Sequence, residues 1–231
     1  MYISGEGIIL KVKSQGRGTF FVSLFSEEYG KFSGLVRGSH KMLGDLQIGN
    51  IVEFEHTRRL ETQLGAMSIE VLYVPSAFAF TCELRMKALQ YLCEILSVSL
   101  REEEGHPKLY TASKLFLKEL HNDDLWSRLG FYELQFLSSI GYGLSLSARD
   151  AVRNEGDDSP LLYVSPKSGR AVSKEAGEPY KDKILPLPAL FGGESQDLLD
   201  VFRLTGHFLN VALEGRYLQA RTELIQNVKQ G

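Results

Sequence analysis

Along the first third of the chain the apolar positions recur with a short period. The run Gly7-Ile8-Ile9-Leu10-Lys11-Val12-Lys13 begins apolar and ends in apolar–basic alternation. Thr19 to Phe25 is dense in aromatic and β-branched residues, and Lys31 to Arg37 follows a short glycine turn. Ile51-Val52-Glu53-Phe54-Glu55 alternates with period two, and Ala66 to Leu72 does so less strictly. Alternation puts successive side chains on opposite faces of a strand, so these five segments predict half-buried strands. Ser14-Gln15-Gly16-Arg17-Gly18 and Glu28-Tyr29-Gly30-Lys31 read as turns. Five short strands within about 75 residues suggest a small barrel of the oligonucleotide-binding (OB) type.

From Ala79 the period becomes helical. Leu84, Ala88, Leu89, Leu92 and Leu96 share one face, with Arg85, Lys87, Gln90 and Glu94 elsewhere. Arg101 to His106 is a charged connector, expected to be a solvated loop. Pro107 suits the first position of a helix striped by Leu109, Ala112, Phe116 and Leu120. Asn122, Asp123 and Asp124 are candidate caps for a third helix, carried by Leu125, Leu129, Tyr132, Phe136 and Ile140 to the glycines at 141 and 143. The rhythm breaks over residues 144–193, where 161–173 reads as two short strands around Pro166-Lys167-Ser168-Gly169. Helical spacing returns with Leu198, Val201, Phe202, Leu209 and Leu213, then Tyr217, Leu218 and Leu224. The expected fold class is α+β: an OB-fold β-barrel over residues 1–78, then a mainly α-helical domain over 79–231 with an irregular hairpin insertion.

Composition adds restrictions. A chain of 231 residues, 43% hydrophobic and 24% charged, can bury a core of one large or two modest domains. The net charge of −3 does not announce a nucleic-acid binder, so any such role needs a local patch. Cys82 and Cys93 lie in one helix-like segment and read as buried free thiols. The start, MYISGEGIILKVKSQG, lacks the order of a signal peptide, and no run reaches the ~18 apolar residues of a membrane helix. A reduced cytosolic protein is expected.

Catalytic and metal motifs are missing. The chain has no GxxxxGK[ST] loop and no HExxH, and Gly16-Arg17-Gly18 is an isolated GxG. His40, His56, His106, His121 and His207 are scattered, and two cysteines do not make a tetrahedral zinc site. His207, with Arg203 and Asn210 at helical spacing, reads as a surface histidine, and Asp157-Asp158 as a loop. Nothing joins a nucleophile, a base and an orienting group. No enzyme, metal or cofactor is expected. The positive signal is the first 46 residues, where six Lys and Arg face four Asp and Glu. Lys11, Lys13, Arg17, Lys31, Arg37 and Lys41, with His40, fall on candidate strands or turns, and Phe20, Phe21, Phe25, Tyr29 and Phe32 are interleaved. Such a surface can hold phosphates and stack unpaired bases, or it is simply the solvated basic face of a small barrel.

Several stretches, taken in order, resemble the bacterial RecO family of recombination mediators. They are Gly7-Ile8-Ile9-Leu10, the run from Val22 to Gly38, Phe131 to Leu137 through Gly141-Tyr142-Gly143, Tyr163 to Ser173, and Leu204 to Leu209. The resemblance implies an OB domain and a helical domain. It implies binding of single- and double-stranded DNA, annealing of complementary strands, and help in loading the RecA recombinase. The implied partners are RecR, RecF and the C-terminal tail of single-strand-binding protein, taken up within residues 79–231; the implied location is the cytoplasm, at the nucleoid. Many family members carry a four-cysteine zinc module after the Gly-Tyr position; residues 144–193 contain no cysteine. Zinc ligation is therefore not carried over, and apolar packing of Leu161, Tyr163, Val172, Ile184 and Leu187 is expected to hold the region. A protein-interaction adaptor, whose barrel grips a partner instead of nucleic acid, is the competing reading.

Overall fold

The structure is a computed structural model that describes residues 1–38, 44–60 and 63–228. Five strands, β1 (Tyr2–Gly16), β2 (Thr19–Ser26), β3 (Gly30–Arg37), β4 (Ile51–Thr57) and β5 (Gly65–Tyr73), close into a barrel in the order β1-β2-β3-β5-β4. Neighbours are antiparallel except β3 and β5, which run parallel over three pairs, Gly34↔Gly65, Leu35↔Ala66 and Val36↔Met67. The barrel core joins Ile3, Ile9, Phe20, Val22, Leu24, Phe32, Val36, Val52, Phe54 and Met67.

β1 explains why its sequence changes rhythm. Ile9 pairs with Leu24 but Lys11 pairs with Ser23, so Leu10 is an extra residue in the ladder. Such a bulge shifts the inside–outside phase of every residue after it. Val12 packs against the core while Lys11 and Lys13 are exposed. Ile8 is fully buried outside the barrel cluster, where α2 (Glu83–Ser99) packs along β1. A strand covered on both faces reads as a continuous apolar run.

Two compact units follow from the contacts: Met1–Asp123 with Leu218–Leu224, and Asp124–Tyr217 with the residues from Ile225 onward. The first contains the barrel, the single turn α1 (Ser76–Ala79), α2, and α3 (Pro107–Lys118). Pro107 does open α3. Phe25 is fully buried with its ring 5.6 Å from that of Tyr110 on α3. The connector before α3 is exposed in its side chains yet tied down in its main chain. Glu103 N donates to Lys31 O at 2.8 Å, and the Glu103 carboxylate takes a two-pronged pair from Arg58.

The second unit contains α4 (Leu125–Ser139), β6 (Leu161–Val164), β7 (Ala171–Ser173), the single turn α5 (Lys174–Gly177), β8 (Leu185–Pro186) and α6 (Leu198–Ala212). The last helix, α7 (Gln219–Val228), begins in the first unit. Asp124 stands at the N-cap of α4 without a side-chain cap bond. β7, β6 and β8 form a three-stranded sheet in that order around the expected hairpin. Val172 and Leu187 are buried there, while Leu161, Tyr163 and Ile184 are only partly covered. Polar bonds complete what that apolar packing leaves open. Asp157, buried, accepts from Ser159 N at 2.8 Å and from the Ser173 hydroxyl, and Arg153 donates to the carbonyls of Asp157 and Ser159. The hydrogen bonds from Ser159 and Ser173 pull the Asp157 carboxyl down to about 2. His207 is half-buried, with Nε2 3.0 Å from Pro166 O.

Candidate nucleic-acid interface

Register decides which cations share a surface. Lys13 lies opposite Phe21, and Phe21 opposite Leu35. Lys11 lies opposite Ser23, and Thr19 opposite Arg37. Paired residues point to the same side of a sheet, so Lys11, Lys13 and Arg37 project outward with Phe21 and Leu35 between them. Lys11, Lys13 and Arg37 are exposed, and Phe21 and Leu35 are half-buried. Arg17 joins them through the β1–β2 turn. Its φ of 51° and the 69° of Gly18 fit a two-residue type I′ loop. Gly38 N donates to Gly18 O at 2.9 Å, fastening the turn beside the end of β3. A Cβ on Gly18 would stand 2.7 Å from Gly38 O, so this approach needs glycine. Among the described residues Lys11, Lys13, Arg17 and Arg37 form no ion pair. A cleft of about 450 Å³ runs beside Arg37, lined by Leu35, Val36 and residues 64–69.

Lys31 is not part of this group. It lies at the other end of β3, roughly 20 Å away at ~3.3 Å per residue. Its Nζ donates to Ser97 O at 2.9 Å and sits 3.5 Å from the Glu102 carboxylate, with 13% of the side chain exposed. Gly30, at φ 65°, allows this docking: a Cβ there would fall 2.0 Å from Glu104 O. The glycine turn at 28–31 is thus a joint between barrel and connector. His40 and Lys41 lie outside the described residues. Of the interleaved rings, Phe20, Phe25 and Phe32 are buried, and Tyr29 packs edge-on to Phe54 at 6.4 Å. Phe21 is the ring left on the basic face; composition could not separate it from its neighbours, because the distinction is one of register.

A second row on the barrel is acidic. Glu6 pairs with Glu53 and Glu53 with Glu70, a row of carboxylates across β1, β4 and β5. Lys114 and the Tyr110 hydroxyl answer Glu6 at 2.6 Å each. Burial works against the charged Glu6, but these two hydrogen bonds and the Lys114 charge leave its carboxyl below the usual range. Glu53 and Glu70 are exposed and have no ion pair among the described residues. The barrel therefore carries its free cations on the second half of β1, the β1–β2 turn and the end of β3, and a carboxylate row across the first half of β1, β4 and β5, an uneven charge distribution that orients a polyanion.

His56 was one of five scattered histidines in the sequence. It occupies the barrel interior, 2% exposed. Burial first, then the Arg58 charge, keep its ring below the ordinary imidazole pKa. Among the described residues no group of three or more His, Cys, Asp or Glu is placed to hold a metal. No helix among them is long and apolar enough to cross a membrane.

A closed five-stranded barrel with a cationic face, followed by helices and a small sheet, defines an OB-type protein with an appended helical part. Comparison with known families narrows that class. Residues 1–73 match the family model described as recombination protein O N terminal, and 84–221 the one described as recombination protein O C terminal. The chain belongs to the RecO family. It is 37% identical over 215 residues to the DNA repair protein RecO of Ruegeria sp. (strain TM1040), covering 90% of this chain and 88% of that one. It is 38% identical to that of Methylocella silvestris, with 88% and 85% covered. It is 36% identical to that of Bartonella tribocorum, with 96% and 93% covered.

Proposed function

We propose that this chain is a non-enzymatic recombination mediator in DNA repair. It binds single- and double-stranded DNA, anneals complementary strands, and helps load the recombinase on strands covered by single-strand-binding protein. RecR and RecF act with it in the cytoplasm, at the nucleoid, and the helical part receives the tail of single-strand-binding protein. The DNA-repair relatives support the setting. The observation that carries DNA contact is the outward group Lys11, Lys13, Arg17 and Arg37 around Phe21 and Leu35, unpaired among the described residues. Cations bind phosphates without reading sequence, and a half-buried ring between them offers a stacking surface for an unpaired base. Both properties suit an annealing protein, which must hold strands of any sequence.

Titration of labelled single-stranded DNA at several salt concentrations tests this reading. Removing one phosphate-binding cation lowers the salt slope by about 0.7. Lys13→Ala with Arg37→Ala lowers the slope by about 1.4 on that basis, for all sequences alike. Lys31→Ala leaves it unchanged, because that side chain is held by Ser97 and Glu102. An unchanged slope in the double variant refutes the site, and a chain that binds RecR but no DNA favours the adaptor reading.

A further inference from the structure

His56 lies where the barrel closes. Its ring centroid is 5.5 Å from that of Phe32, and the Ser33 main chain bonds the ring. Nε2 is buried and has no partner among the described residues. Glycines from both closing strands leave the space that the ring fills. A Cβ on Gly34 would stand 3.0 Å from His56 Cδ2, and one on Gly65 would stand 2.2 Å from Nε2. These two glycines are also the first pair of the β3–β5 ladder, which is only three pairs long. The barrel's shortest seam is therefore built around an imidazole.

Among the described residues the charges facing that ring come from three places: Arg58 just past the end of β4, the N-terminal amine just before β1, and Glu103 on the connector. Among the described residues β3 and β5 bring Phe32, Gly34, Gly65 and Met67 against it, none titratable. Two of the three charges are cationic, and the carboxylate is already engaged by both prongs of Arg58. A proton on Nε2 would create a buried N–H donor with no acceptor among the described residues, in a cationic setting. Burial of such a group is strongly unfavourable.

We infer that neutral His56 is the clasp of the β3–β5 seam, and that proton uptake on Nε2 opens the seam and displaces Arg37, which follows its last pair, from the basic face. The effect on Arg37 rests on the DNA-binding reading; the opening of the seam does not. The closed form resists the proton that an open, hydrated ring accepts near pH 6.5. The open population consequently grows as pH falls below about 6.5, by at most tenfold per pH unit.

Amide exchange by NMR on the full chain, corrected for intrinsic rates between pH 7.5 and 5.5, measures the seam directly. Protection at Leu35 and Met67, whose N–H groups point across the seam, falls by up to tenfold per unit in the acid half of that range, while Lys13 and Phe21 on the β1–β2 ladder hold theirs. In His56→Phe and His56→Gln the selective loss disappears. Equal loss on both ladders, or a selective loss that persists in both variants, overturns the clasp; should neither variant fold, the wild-type comparison decides alone. Anisotropy of labelled oligothymidylate over the same pH range reads the consequence. Affinity falls in parallel with seam protection in the wild type and not in the variants. Affinity that stays level while the seam opens overturns the link to Arg37. No DNA binding at pH 7.5 refutes the DNA reading instead, and the exchange comparison still decides on the clasp.

Discussion

Arg17 holds a left-handed backbone, φ 51°, at the tip of the β1–β2 turn. For a residue with a long side chain this conformation costs about 1 kcal/mol or more. Type I′ turns favour Asn-Gly, and here the pair is Arg17-Gly18. A local cost at a cation on the proposed DNA face is what a binding residue would show. Arg17→Asn should therefore stabilise the chain by about 1 kcal/mol in urea unfolding, and reduce the salt slope of single-strand binding by about 0.7. A variant that loses stability and keeps its slope refutes both parts. Asp157 presents the reverse case, a polar side chain that holds structure. Its carboxyl lies at about 2, below the ordinary value of 3.8. A depressed carboxyl contributes its stability above the unfolded value and loses it as pH falls through the folded one. The contribution is full above pH 4 and declines toward pH 2, and Asp157→Asn removes it at neutral pH. The acid limb of the melting profile of the second unit should flatten in that variant.

Among elements, the glycine turn at 28–31 and the carboxylate row make opposite demands. Gly30→Ala places a Cβ against Glu104 O at a positive φ. The expected cost is on the order of 2 kcal/mol or more, since strain and clash act together, with freer cleavage of residues 101–106 by a protease. Glu53 lies between Glu6 and Glu70, and like charges directly opposite each other destabilise a sheet. Glu53→Lys should raise stability by about 0.2–1 kcal/mol, more at low salt than at high salt, and thermal melts at two ionic strengths check it. The start of α7 depends on another carboxylate. Glu94 on α2 accepts from Gln219 N at 3.0 Å and from Ala220 N at 2.9 Å, meeting free amides of a helix N-terminus. Glu94→Ala should expose this segment to proteolysis ahead of the barrel.

At the scale of the whole chain, the change of apolar period after residue 78, the five strands, the helices and the hairpin were legible in the sequence. Period 2 and period 3.6 record which side of an element meets a core, and that is a local property. The resemblance to the RecO family was legible for the same reason, since it lies in ordered short stretches. Grouping was not legible. The first compact unit runs to Asp123 and includes two long helices, because Ile8 and Phe25 need cover outside the barrel. The cationic face was half legible: spacing put Lys11 and Lys13 together, but only register brought Arg17 and Arg37 to them and took Lys31 to the connector. Phe21 and His56 were equally hidden, one turned outward by its pairing and the other enclosed where two glycines meet. The sequence by itself determined the elements and their buried sides, because burial leaves its period in the chain. The tertiary structure alone decided which charges stand free and which are answered, because pairing and closure join residues that no local pattern relates.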